Sequence, residues 1–180
     1  MKKAPRPTER RLLAEGRYLH LVDAGWEYVT RPGVTGVVVL VAVTPDRELV
    51  LVEQYRPAVQ RRCVELPAGL VGDIAGQETE SLTTAAHREL VEETGFSARE
   101  MVELTTGPIA VGVSDEIVTF FEARGLTRVG EGGGDDTEDI AVHVVPLAAV
   151  HDFLTAKRAD GCHVDPKIYA GLYLTKAAPP

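Results

Sequence analysis

Apolar and polar positions divide the chain into short segments of two kinds. RYLHLVDAGWEYV alternates and is rich in β-formers, which predicts a strand or hairpin turning near Asp23-Ala24-Gly25. Val34 to Thr44 is a valine-rich apolar run, the signature of a buried strand. Pro45-Asp46-Arg47 supplies a turn into ELVLVEQYR (48–56), and the two strands read as a β-hairpin. Pro57, Pro67 and the glycines of GLVGDIAG make most of 57–79 loop. Helix grammar follows: Ser81 as N-cap, an apolar face of Leu82, Ala85, Ala86 and Leu90, and Gly95 at the left-handed C′ position. Further strands are expected at 100–107, at 117–123 and over AVHVVPL, with helices at 150–156 and 166–175. The first 12 residues read as a loose basic tail, 13–33 as N-terminal strands and 34–180 as the main domain. Strands on both sides of a central helix predict an α/β sandwich.

Composition narrows the function classes. The chain has 180 residues, 44% hydrophobic and 26% charged, enough for one well-cored domain. A formal net charge of −8 and the lack of a basic stripe argue against nucleic acid as partner. Two distant cysteines, Cys63 and Cys162, make neither a disulfide framework nor a zinc site, so a reducing cytoplasm is the expected compartment. MKKAPRPTERR lacks the apolar stretch of a secretory signal, and GVTGVVVLVAV is too short to span a membrane, which takes about 20 apolar residues. GEGGGDDTED (130–139) reads as a flexible acidic loop.

The predicted helix carries the chemistry. Glu89, Glu92 and Glu93 stand at i, i+3 and i+4, so their carboxylates share one face and can converge on one point. Oxygen ligands of that kind suit Mg²⁺ or Mn²⁺. Arg88, one turn before Glu92, can brace it. Taken alone, the triplet reads first as a solvated acidic face, the usual place of a Glu-rich helix in an acidic protein.

The full string is more specific. Glu80, seven residues, Arg88-Glu89-Leu90, one residue, Glu92-Glu93, one residue, Gly95-Phe96 resembles the Nudix box, G-x5-E-x7-R-E-U-x-E-E-x-G-U with U a bulky apolar residue. The box glycine departs from the pattern: its counterpart is Gly69 in ELPAGL, and the loop to Glu80 carries five extra residues. Such lengthening costs little, because closure entropy grows only logarithmically. The resemblance implies a Nudix α/β/α sandwich with a mixed sheet, and hydrolysis of a nucleoside diphosphate linked to another group. It implies two to three Mg²⁺ or Mn²⁺ ions per site. Glu89 and Glu93 would be metal ligands, Glu92 a ligand or a residue positioning the attacking water, Glu80 their outer support, and Arg88 the tie between helix and loop.

The surrounding segments resemble the ADP-ribose pyrophosphatase branch. VEQYRPAVQRRCVELPAGL is similar to that branch's Q-[FY]-R followed by E-x-P-A-G. The similarity implies a metal-binding carbonyl at Ala68, Glu65 beside it, and Arg56 on substrate phosphates or terminal ribose; alone, Arg56 is a surface arginine at a strand end. AVGVSDE (110–116) is similar to the branch's S-P-G-x-S-D-E loop, with Val111 in place of its proline, and makes Glu116 the candidate general base. GWEYVTR implies Trp26 stacked on adenine and Arg31 close to it, although a lone tryptophan also suits core packing. DPKIYAGLYL is similar to the branch's D-x-K-x-x-x-A-L helix. In this branch the N-terminal strands are exchanged across a two-fold dimer, so 13–33 is the expected dimerisation arm and Trp26 can serve the partner's site. The activity implied is cleavage of ADP-ribose to AMP and ribose 5-phosphate. The alternatives are a GDP-mannose or broad nucleoside-diphosphate-sugar hydrolase, and a non-catalytic ADP-ribose sensor, which would be expected to lose box glutamates that this chain retains. His87, His143 and His163 have no metal-ligand spacing and read as structural.

Overall fold

In a computed structural model the described residues are 9–76, 78–134 and 139–175. The elements run β1 (Arg11–Glu15), β2 (His20–Asp23), β3 (Glu27–Thr30), β4 (Gly36–Ala42), β5 (Glu48–Arg56), β6 (Arg61–Glu65), β7 (Ala68–Val71) and α1 (Leu82–Thr94). They continue with β8 (Phe96–Ser97), β9 (Glu100–Pro108), β10 (Ile117–Arg124), β11 (Thr127–Arg128), β12 (Ala141–Pro146), α2 (Val150–Ala159), β13 (His163–Val164) and α3 (Lys167–Leu174). Two four-stranded sheets, ordered β7-β4-β10-β9 and β12-β5-β6-β13, form the centre. Both are mixed: β10 runs parallel to β4 and β13 parallel to β6, and the other pairings in these sheets are antiparallel.

β4 shows why the valine run does not alternate. Val38, Leu40 and Ala42 pack with Ala85, Ala86 and Leu90 of α1, while Val39 and Val41 pack with Leu154 of α2 and Ile168 and Leu172 of α3. Alternate residues of a strand point to opposite faces, so β4 is buried on both sides between helical layers. This is the expected α/β/α arrangement.

Three expectations are corrected. The 34–44 and 48–56 strands do not form a hairpin; they meet only at their turn, through Thr44 N–H to Glu48 O (2.8 Å) and an isolated Val43–Leu49 bridge, and then enter different sheets. Residues 57–79 lie mostly outside strands, as expected, but they also hold two strands that were not, β6 and β7. The two prolines bracket β6: the Pro57 carbonyl accepts the turn bond from Gln60, and the Pro67 carbonyl accepts from Leu40 N–H (2.8 Å). Finally, β1 begins at Arg11, inside the stretch read as a tail, whose residues 1–8 lie outside the described residues. Part of the acidic loop, 135–138, also lies outside them.

The N-terminal hairpin expectation holds, extended to a three-stranded antiparallel sheet β1-β2-β3. Its turn is set by Gly25 at φ 86°, whose amide donates to Asp23 Oδ1 (2.8 Å). β3 then docks on the 109–116 loop, with Val29 N–H donating to Val113 O (2.8 Å) and Asp115 N–H to Val29 O (3.4 Å).

Candidate active site

α1 begins and ends where its sequence says. Ser81 Oγ accepts from Thr84 N–H (3.1 Å), satisfying one of the free N-terminal donors, and Gly95 closes the helix at φ 71°. Between these caps the helix turns Glu89 and Glu93 inward with Ala85, Ala86 and Leu90, while the Glu92 side chain stays 48% exposed. Glu93 Oε2 accepts from Ala68 N–H (2.9 Å), tying α1 to β7. The Glu89 carboxyl lies directly over Gly69: a Cβ there would stand 1.9 Å from Glu89 Cδ. That close approach is the physical reason for glycine at this position.

Arg88 gathers the acids. Its guanidinium donates to Glu80 (2.9 Å), Glu89 (2.7 Å), Glu92 (3.1 Å) and the Leu70 carbonyl (3.1 Å), with Asp73 at 3.8 Å. Glu80 also accepts from Gly72 N–H (3.2 Å), so the lengthened loop still delivers it to Arg88. The Arg88 bond holds the Glu80 carboxyl below its ordinary range. Glu89 goes the other way. Burial pushes it up to about 7, with Glu92 and Asp73 adding to the rise and Arg88 opposing it.

A cleft of about 650 Å³ brings Arg88, Glu89, Glu92 and Glu93 together with Arg31, Arg56, Glu65 and Glu116, while Glu80 stays behind Arg88 and does not line it. Arg56 forms a fork on Glu65, with Nε and Nη2 each 2.7 Å from a carboxylate oxygen, and that bond raises its pKa against the effect of burial. Arg31 Nε donates to Glu116 Oε1 (2.6 Å), so the candidate base is held by a cation. A second cavity of about 600 Å³ shares Arg31, Val37 and Glu116 with the first and extends toward His20 and Leu12.

Two features differ from a simple mapping of the sequence. Trp26 does not line the cleft of its own chain; it is 68% exposed, its indole N–H on the Gly112 carbonyl (3.2 Å). Gln54, Asp73 and Lys167 do line it and were not anticipated. Gln54 was accessible from the period of β5, which puts Val52, Gln54 and Arg56 on one face. Lys167 opens α3 in Asp-Pro-Lys and pairs with Asp165, whose Oδ1 also accepts the Lys167 amide (2.8 Å). Its position over the cleft follows from the pairing of β13 with β6, which local sequence does not reveal.

The donor set fits hard divalent cations. Its side-chain donors are carboxylates only, two of them buried, and the raised Glu89 is a group that added positive charge would ionise. In the present arrangement Arg88 and the Ala68 amide take those oxygens, and among the described residues no three His, Cys, Asp or Glu side chains meet in metal-binding geometry.

Residues 34–169 match the family model for the NUDIX domain, and the chain belongs to that family. It is 35% identical over 121 residues to the methanol dehydrogenase activator of Bacillus methanolicus, covering 67% of this chain and 60% of that protein. It is 37% identical over 122 residues to the ADP-ribose pyrophosphatase of Bacillus subtilis, covering 67% and 62%. The matched segment thus spans about three fifths of each relative. A crystal structure of an ADP compounds hydrolase superposes with a TM-score of 0.70 at 22% identity, covering 98% of this chain and 95% of that one, a likeness of fold.

Proposed function

We propose that the chain hydrolyses the diphosphate of ADP-ribose, or of a closely related nucleoside diphosphate sugar, releasing AMP and ribose 5-phosphate. The observation that carries this reading is the single cleft joining the acid face of α1 to Arg56, Glu65, Arg31 and Glu116. The supporting likeness is to proteins named for ADP-ribose and ADP compounds. One water is consumed: its oxygen bonds to one phosphorus, the bond from that phosphorus to the bridging oxygen breaks, and two phosphomonoesters leave.

The carboxylates of Glu89, Glu92 and Glu93 and the Ala68 carbonyl would hold Mg²⁺ or Mn²⁺, two to three per site. Bound there, such ions supply charge neutralisation on the diphosphate and an acidified water. The chain's own groups do the rest. Arg88 has Glu80 and Asp73 as alternative partners when it yields Glu89 and Glu92. Arg56, preset by Glu65, offers a planar fork to phosphate oxygens, and Lys167 adds a cation to the same cleft. Arg31 holds Glu116 in place on the cleft wall, where a general base is needed. Two copies would associate through β1–β3, with Trp26 stacking on the adenine bound to the partner, in the cytoplasm. Among the described residues no helix is long and apolar enough to cross a membrane.

Phosphate release, coupled to a phosphatase, from ADP-ribose, ADP-glucose, GDP-mannose and diadenosine polyphosphates with and without Mg²⁺ tests the reading. ADP-ribose should be cleaved best, and Glu93→Gln should lose roughly a hundredfold or more, beyond the range for outer-shell groups. Unchanged activity in that variant would overturn the metal-ligand assignment. Faster turnover of GDP-mannose would move the specificity to the alternative sugar.

A further inference from the structure

The C-terminal end of α1 is where the candidate ligands Glu92 and Glu93 sit, and it is the end at which a helix is left with free carbonyls and partial negative charge. Three glutamates crowd the last two turns. The last turn contains no basic residue to offset the negative charge. The relief comes from backbone instead. Gly134 N–H donates to the Glu92 carbonyl (3.0 Å) and Gly133 N–H to the Glu93 carbonyl (2.9 Å). One residue beyond the helix, the Gly95 carbonyl accepts from both Val129 (2.8 Å) and Gly130 (3.1 Å). Four amides from one six-residue segment thus close over the helix end.

Such contact demands glycine on both sides. A Cβ on Gly132, at φ 73°, would stand 2.4 Å from Thr94 C and 2.7 Å from the Glu93 carbonyl oxygen. A Cβ on Gly95 would stand 2.3 Å from the Gly130 carbonyl oxygen. Backbone cannot yield as a flexible side chain can. Gly130 is different: its φ is not in the left-handed region, and the nearest atom to an added Cβ is 4.0 Å away. The segment is also tethered before and after. β11 pairs with β8 immediately upstream, and Asp139 downstream binds Arg62 (2.9 Å), which is held by Glu53.

We propose that residues 129–134 form a backbone clasp that fixes the pitch of the last turn of α1, with Gly132 as the positioning residue, so that cation binding by Glu92 and Glu93 depends on a loop outside the Nudix signature. The inference rests on the metal-dependent reading of the site. A helix end left to fray swings both carboxylates, because the carbonyls the clasp holds belong to the same two residues that bear them. The coupling is reciprocal: a cation that fixes the carboxylates must also steady the clasp.

Direct Mn²⁺ binding by electron paramagnetic resonance, with no substrate present, tests this on the full chain. Gly132→Ala should raise the Mn²⁺ dissociation constant about tenfold or more, the range of groups that orient metal ligands. Gly130→Ala, the same change in the same segment, should leave it at the wild-type value. Should Gly132→Ala fail to fold, the wild-type protein gives the answer. Amide exchange at Gly133 and Gly134, followed by nuclear magnetic resonance, should slow several-fold on adding Mg²⁺. Equal Mn²⁺ affinity in Gly132→Ala and wild type, or exchange at these two amides indifferent to Mg²⁺, overturns the clasp. If wild-type protein binds no Mn²⁺ and cleaves no nucleotide sugar, it is the functional reading that falls.

Discussion

Glu53 shows how much one residue can carry without belonging to the site. It lies on β5 between Val52 and Gln54, 6% exposed, and its carboxylate takes Lys157 (2.6 Å), Arg62 (2.8 Å) and His143 (2.9 Å). Burial alone would raise its pKa, but hydrogen bonds from Lys157, His143 and Arg62 outweigh it and hold the group at about 2, against 4.5 ordinarily. A depressed folded-state pKa adds stability that is present above the unfolded value and lost as pH falls toward the folded one. The window here is therefore pH 4.5 down to 2, and the amount is about 3 kcal/mol. Glu53→Gln should cost about that much in urea unfolding at pH 7 and progressively less as pH falls toward 2. A cost that did not shrink with acid would mean packing, not charge, sets it. His143 was legible as structural, since its spacing excludes a metal pair. Glu53 itself was not, because its partners lie 9, 90 and 104 residues away.

At the scale of elements, what was legible is what local rules determine. β5 spans the expected residues, and α1 starts after its serine cap and stops at its glycine. The misassigned hairpin has a different origin. Turn chemistry identified a reversal at 45–47, but only long-range packing decides that β4 joins β7 and β10 while β5 joins β6 and β12. β6 and β7 were hidden because prolines beside a strand look like prolines within a loop. The site divides in the same way. The glutamates, Arg88 and Glu80 form one local string, whereas Asp73 and Lys167 reach the cleft through tertiary placement. α3 offers a test of packing against propensity at Gly171. Alanine gains about 1 kcal/mol as a better helix former. Its Cβ, however, would stand 2.7 Å from Val41 Cγ2 and 2.8 Å from Leu66 Cδ1, both on fully buried residues. Overpacking of that kind costs about 1–3 kcal/mol and should win. Gly171→Ala is therefore expected to lower the thermal midpoint by a few degrees; an increase would show that the core gives way there.

The whole molecule exposes an apolar surface that one copy does not explain. Leu12 and Leu13 on β1, Tyr18, Trp26, and Val111 and Val113 of the 109–116 loop are all exposed, Val111 at 78%. They belong to one unit, because β3 and the loop are joined through Val29 and Val113, and Trp26 bonds Gly112. Large apolar side chains left exposed together are a feature of interaction surfaces. The same unit carries Arg31 to Glu116 at the cleft while Trp26 does not line it, so the aromatic residue most suited to a base lies outside the cleft of its own chain. The proposed second copy would account for both facts, and the oligomeric state is directly measurable. Sedimentation equilibrium should give twice the 19.4 kDa chain mass. The sharper measurement mixes two impaired variants. Trp26→Ala keeps the acid face of α1 but lacks the stacking ring; Glu93→Gln has the ring but a broken acid face. If each ring serves the other copy's cleft, subunit exchange builds one intact site in every mixed dimer. About a quarter of all sites should then recover the wild-type KM under random pairing of two chains. If the ring serves its own cleft, no mixture can produce an intact site, and the residual activity will keep the weakened KM of Trp26→Ala.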